Sequence, residues 1–155
     1  MADLELENRA LALVIRAHAG QVDKQGRDYV EHHLRPIAES LRPFGSQAYL
    51  AGLLHDIVED TDMDYSQLLE QGFPASVVEA VRSVTRQRTE PYPELINRAA
   101  ADPLGRLVKL ADNWHNLSSL DALEDGDDRA RLRLRYLSAR EVLERSLTSP
   151  DRPVR

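Results

Sequence analysis

Apolar residues in this chain mostly recur every three or four positions, and the alternation at 129–136 lies inside a longer run whose arginines read as one solvated helix face. That spacing selects helices over strands. Leu4, Leu6, Ala10, Leu11, Leu13, Val14 and Ala17 set the pattern, and Gly20 is its stop. Residues 21–28 read as a turn. A second helix is predicted at about 30–41, with Pro36 opening its regular part. A loop from Pro43 follows, with Ser46 as the N-cap of a helix over 47–58. A short helix covers 66–70 and ends near Gly72. Pro74 opens another, with Val77, Val78, Val81 and Val84 on its buried side. Pro91 and Pro93 open one that runs to about Ala101. Pro103 opens a longer helix whose apolar positions are Leu104, Leu107, Val108, Leu110, Ala111, Trp114 and Leu117. Residues 124–128 form an acidic turn before a last helix over 128–147. The 7 glycines and 8 prolines mostly fall between these runs, and no heptad persists. The expected fold is all-α, an orthogonal helical bundle.

A chain of 155 residues is the size of one domain, expected over 1–149 with a loose tail at 150–155. The net charge of −6 argues against general binding to nucleic acid or to anionic membranes. With no cysteine, disulfides, thiolate nucleophiles and Cys-built metal sites are excluded, so any metal must be held by His, Asp, Glu and water. The acidic start Met1-Ala2-Asp3-Leu4-Glu5 is unlike a signal peptide, and no apolar run reaches membrane-spanning length. The expected location is cytoplasmic.

Chemistry concentrates in three segments. The most informative is Leu53-Leu54-His55-Asp56-Ile57-Val58-Glu59-Asp60-Thr61. His55 and Asp56 are adjacent and do not share a helix face, yet both can reach one ion beside the helix. Glu59 and Asp60 follow four residues after each of them, back on the same side. Four proton-active groups after two leucines are costly unless a metal or substrate satisfies them. The other segments are Tyr29-Val30-Glu31-His32-His33 and Lys109-Leu110-Ala111-Asp112-Asn113-Trp114-His115-Asn116, in which Asp112 and Asn116 share a face. His32, His55, Asp56 and Asp112 form the candidate metal set. Two imidazoles and two carboxylates suit Mn²⁺, Fe²⁺, Co²⁺, Ni²⁺ or Zn²⁺. Arg82, Arg86 and Arg88 are the best basic run to meet phosphates, with Tyr92 in the same region.

In order along the chain, Ala17-His18-Ala19-Gly20-Gln21, Gly26 with Tyr29-Val30 and His32, the Leu53–Thr61 block, and Val108–Asp112 with His115-Asn116 resemble the HD-domain metal phosphohydrolases. They are most similar to the branch that removes the 3′-pyrophosphate of (p)ppGpp. The resemblance implies an all-helical HD bundle, a small nucleotide substrate and Mn²⁺ as the usual ion. It implies His32, His55, Asp56 and Asp112 as ligands. Glu59 and Asp60 become the acidic pair that positions or activates the attacking water, and Lys24 and Asn116 become substrate contacts.

Several positions depart from the family pattern. Asp23 stands where an Arg is usual, Asn113 and Ser118 also replace Arg, and His33 replaces a Pro after the first His. The choice between His32 and His33 is therefore open, with the tyrosine spacing favouring His32. These departures keep two alternatives in view: hydrolysis of another nucleotide or phosphorylated metabolite, and a non-catalytic nucleotide-binding regulatory domain. His18 reads as a packing or loop-anchoring residue, His115 as a helix-supporting or cavity-rim residue, and Lys109 as a carboxylate partner. Trp114 reads as core. The arginines of the last helix read as a solvated face that is also a candidate homodimer contact.

Overall fold

The computed structural model describes residues 2–122 and 126–147. The tail expected at 150–155, and residues 124 and 125 of the acidic turn, lie outside them. Helix α1 (Asp3–Ala17) buries Leu6, Ala10, Leu13 and Val14, with Asp3 and Glu5 in its first turn and Arg16 in its last, the arrangement its dipole favours. Gly20, at φ +83, turns the chain into a loop over 21–28. Asp23 organises that loop. Its carboxylate accepts the Gln25 and Arg27 backbone N–H groups and the Arg27 Nε–H at 2.8–2.9 Å, and one bridge joins Val22 to Asp28.

The next helix begins with a π turn over Val30–Leu34 and continues as α2 (Arg35–Ser40), with Pro36 in its first turn as expected. After a 3₁₀ turn over Arg42–Phe44 comes α3 (Ser46–Leu54), in which every residue from Ala48 to Leu54 is buried. Here the structure corrects the predicted cap. Gly45, at φ +107, holds the N-cap position, Ser46 is the first helical residue, and its Oγ is buried without a hydrogen-bond partner. The predicted helix over 47–58 is also divided. It stops at Leu54, His55 and Asp56 form a turn, and α4 (Ile57–Asp60) restarts it.

Helices α5 (Tyr65–Glu70), α6 (Ala75–Val84), α7 (Tyr92–Ala101), α8 (Pro103–Ser119) and α9 (Asp127–Leu147) fall close to the predicted positions. A capping box between Asp64 and Gln67 starts α5. Asp102 caps α8 through the Leu104 and Gly105 N–H groups. Helix α3 runs through the centre and packs against α1, α2, α6 and α8. Leu50, Leu53, Leu54 and Ile57 are 0–1% exposed. Each such side chain contributes about 1.5–3 kcal/mol by leaving water, which anchors the polar turn that follows Leu54.

Trp114 is not core. It is 51% exposed, and the Arg140 guanidinium lies 3.8 Å from its ring centroid. The buried residues of α8 are Gly105, Arg106, Val108, Asp112 and Asn113, so the helix is rotated away from its largest apolar side chain. The rotation aims Asp112 inward.

Candidate metal centre and adjoining cavity

Three elements meet at one end of α3. The first is the turn that ends it. The His55 Nδ1–H donates to the Gly52 carbonyl at 2.6 Å, so its Nε2 is the nitrogen left facing inward. That nitrogen is buried and has no hydrogen-bond partner. Asp56 follows at φ −102, ψ 0, a conformation that interrupts the helix and brings its carboxylate to the same point. Asp56 Oδ2 lies 3.2 Å from His55 Nε2.

The π turn supplies the second imidazole, and it is His33 that enters, not His32. His32 is exposed on the outside of the turn, whereas His33 is buried. A π turn closes i→i+5 bonds and so takes up one residue more than an α turn. The imidazole four residues after Tyr29 therefore sits beside it, and the two rings stack at 4.7 Å. His33 Nε2 lies 3.5 Å from Asp56 Oδ2 and 3.3 Å from Asp112 Oδ1. Asp112 on α8 supplies the second carboxylate, with Oδ1 3.8 Å from His55 Nε2. One ligand atom from each of His33, His55 and Asp112 falls within 4.8 Å of the others. The unpartnered Nε2 and the two-imidazole, two-carboxylate donor set fit a divalent cation.

Surrounding residues fix these groups. The Tyr29 hydroxyl donates to Asp56 Oδ2. Lys109 Nζ donates to Asp112 Oδ2 at 3.2 Å, and Asn116 Nδ2 to Asp112 Oδ1 at 3.4 Å. Burial alone would raise the carboxyl pKa values. For Asp56 the His55 charge and the contact with His33 outweigh it, and for Asp112 the Lys109 charge does, so both are held low. The imidazoles respond oppositely. Burial would lower them, yet contacts with Asp112 and Asp56 raise His33, and Asp56 chiefly raises His55.

Glu59 and Asp60 stand on α4 beside the cluster. Burial raises both carboxyls, and the Asp56 charge adds to the rise. Glu59 Oε1 accepts the Arg86 backbone N–H at 3.0 Å. The Asp60 carbonyl accepts from Gln21 Nε2 at 3.0 Å, and Gln21 Oε1 lies 2.7 Å from His18 Nδ1. His18 is thus the buried loop anchor the sequence suggests.

A cavity of about 210 Å³ opens beside His33. Lys24 and Asn116 line it, as do Asp23, Arg27, His115 and Tyr136. The His115 ring meets His33 edge-on at 4.9 Å. The other two expected substrate contacts, Arg86 and Tyr92, do not line this cavity, and the Tyr92 ring centroid lies 5.9 Å from Lys109 Nζ. The Arg86 Nε–H is bonded to the Glu90 carbonyl at 2.9 Å, and Tyr92 lies under Arg135, whose guanidinium is 4.3 Å from its ring. Arg82 pairs with Glu79 and covers Tyr65. Of the three departures from arginine, only Asp23 reaches the cavity. Asn113 is buried and donates to the Tyr136 carbonyl at 2.8 Å, and Ser118 Oγ donates to the Trp114 carbonyl.

Sequence reasoning used Tyr29 only as a spacing marker and passed over Arg27 and Tyr136. Nothing in their spacing distinguishes them. They become visible only when loop 21–28 and α9 close on α8.

A helical bundle that gathers two imidazoles and two carboxylates at one end of α3, with His33 on the wall of a cavity, defines a class of cation-binding helical protein. The chain belongs to the HD-domain family, whose model matches residues 10–138. A probable guanosine-3′,5′-bis(diphosphate) 3′-pyrophosphohydrolase from Synechocystis is 36% identical over 127 residues, 74% of this chain and 17% of that protein. The bifunctional (p)ppGpp synthase/hydrolase SpoT of Escherichia coli is 34% identical over 152 residues, 88% of this chain and 20% of that one. The chain thus spans about a fifth of the length of these curated relatives. A solved structure described as a metazoan ortholog of SpoT that hydrolyses ppGpp superposes with a TM-score of 0.73 at 26% identity, covering 93% of this chain and 86% of that one. Among the described residues no helix is long and apolar enough to cross a membrane.

Proposed function

We propose that the chain is a metal-dependent phosphohydrolase that removes the 3′-pyrophosphate from guanosine-3′,5′-bis(diphosphate). The observation that carries this reading is the cluster of buried His33, His55 and Asp112 with the partly exposed Asp56, whose His33 lines a cavity, in a chain similar to proteins named for that reaction. His33 takes the ligand role that the spacing gave to His32. The ion in this reading is Mn²⁺, and the location cytoplasmic.

A divalent ion bound here supplies an acidified water and offsets charge on the phosphoryl group. The residues do the rest. Tyr29, Lys109 and Asn116 hold Asp56 and Asp112 in place for the ion. Glu59 or Asp60, with carboxyls raised by burial, takes the proton from the attacking water. Lys24 and Asn116 face the substrate from the cavity wall.

The second reading keeps the chemistry and changes the substrate to another nucleotide or phosphorylated metabolite. Asp23 favours it, because a carboxylate on the cavity wall repels phosphate. The test is turnover of ppGpp against a nucleotide panel by Mn²⁺-reconstituted protein, with Asp56→Ala as control. Release of GDP and pyrophosphate, lost in the variant, supports the first reading. Turnover of another nucleotide alone selects the second. Tight binding without product points to a regulatory domain and overturns both.

A further inference from the structure

Glu59 sits at an exposed helix end, and the hydrogen bond that fixes its carboxylate comes from a loop, through the Arg86 backbone N–H. Residues 86–89 of that loop are exposed, and its only buried members are the polar Thr85 and Glu90. Apolar packing therefore does not hold it.

A two-point ion pair does. Arg98 on α7 reaches back and grips Glu90 with both arms of its fork, Nε to Oε2 at 2.6 Å and Nη2 to Oε1 at 2.7 Å. The same guanidinium donates to the Arg82 and Thr85 carbonyls at 2.9 and 2.7 Å, closing the end of α6. Glu90 in turn accepts the Gln87 N–H on Oε1, and its carbonyl accepts the Arg86 Nε–H. Glu90 is 8% exposed and the Arg98 side chain 28%, so the carboxylate end of the pair is shielded, and the two-point contact fixes its geometry.

We propose that Arg98 and Glu90 are positioning residues of the hydrolytic site: they lock the 85–90 loop so that the Arg86 N–H holds the Glu59 carboxylate in its working orientation. This rests on the reading of Glu59 as a proton acceptor. Misplacing such a group by about 1 Å from a distance can cost on the order of 100-fold in rate. The effect falls on kcat, because neither residue lines the substrate cavity.

The experiment is a double-mutant cycle on the full Mn²⁺-loaded chain with ppGpp, combining Arg98→Met and Glu90→Gln with Glu59→Gln. Arg98→Met should lower kcat roughly 10- to 100-fold with KM unchanged, and Arg98→Lys should recover only part, since an ammonium lacks the fork. In the Glu59→Gln background Arg98→Met should cost nothing further. An equal loss in both backgrounds means a merely structural role and overturns the proposal, as does wild-type kcat in Arg98→Met. Should Arg98→Met unfold, the milder Glu90→Gln carries the same cycle. Hydrogen exchange at the Arg86 amide is the second readout, and it should accelerate in both variants. If the wild-type chain turns over no ppGpp, the functional reading fails, and the lock is judged on that amide alone: unchanged exchange overturns it.

Discussion

The Tyr29 hydroxyl donates to the same Asp56 oxygen that lies 3.2 Å from His55 and 3.5 Å from His33. One phenol therefore orients the carboxylate around which both imidazoles gather. Its own pKa is pushed up by burial and by the Asp56 charge, so it stays a donor at every working pH. Tyr29→Phe should leave the fold intact and weaken Mn²⁺ binding about 10- to 100-fold, the usual cost of losing a partner behind a ligand. Titration calorimetry reads this directly, and unchanged affinity would falsify it.

His32 and His33 separate cleanly by substitution. His33→Ala should abolish Mn²⁺ binding and the thermal stabilisation it brings, which is about 2.7 kcal/mol at an ion concentration 100 times Kd. His32→Ala removes an exposed side chain and should change neither by more than about 0.5 kcal/mol. Thermal unfolding with Mn²⁺ and with chelator decides between them.

Gly52 couples packing to the site. A Cβ there would lie 3.0 Å from the Ala38 Cα and 2.9 Å from Leu41 Cδ1, so Leu41 must turn aside and the α2 backbone must give by a few tenths of an ångström. Gly52→Ala should cost about 1–3 kcal/mol in urea unfolding. Because α2 continues the π turn that carries His33, and the Gly52 carbonyl accepts from His55, Mn²⁺ affinity should fall as well. A stability loss with wild-type affinity would show the coupling to be absent.

The pH dependence of the ion-free protein follows from opposed shifts. His33 and His55 are raised, so their contribution is full below the unfolded value of about 6.5 and is lost as pH rises through the raised values. Asp56 and Asp112 are lowered, so theirs is present above about 3.9 and is lost only as pH falls through the lowered values. His115, lowered by burial and by His33, opposes the first pair. With chelator present, stability should be highest between about pH 4 and 6.5 and decline toward pH 8. Mn²⁺ binding demands neutral imidazoles, so it should release protons and tighten over the same rise. Chemical unfolding across this range, with and without the ion, checks both. A chelated protein that grows more stable from pH 6 to 8 contradicts the assignment.

Much of the fold was readable because Gly and Pro sit where helices end, as Gly20, Gly72, Pro74 and Pro103 show. The segments that build the site were readable because their polar residues interrupt apolar runs. Three details were not. Ser46 looked like a cap, but Gly45 already turns the chain through positive φ. Trp114 looked buried, but α8 is turned so that its polar residues face inward, Asp112 toward His33 and Asn113 toward Tyr136 of α9. The expected unbroken helix through His55 and Asp56 fails because the His55 ring takes the Gly52 carbonyl and Asp56 leaves helical geometry. The Asn113 contact with Tyr136 joins residues distant in sequence, and the other two are local backbone choices that apolar periodicity does not encode.

The widened turn at Val30–Leu34 also has a consequence for how this chain lines up with others. It stores one surplus residue without disturbing either flank, since Tyr29 still meets His33 and α2 still packs on α3. Counting three residues on from Tyr29 arrives at the exposed His32, and counting four at the buried His33. Removing Glu31 or His32 should let the segment relax to ordinary α-helical winding while Tyr29 and His33 stay in register. The local insertion is thus confined to one turn, and counting from the tyrosine is a less reliable guide to this site than following the imidazole that is buried.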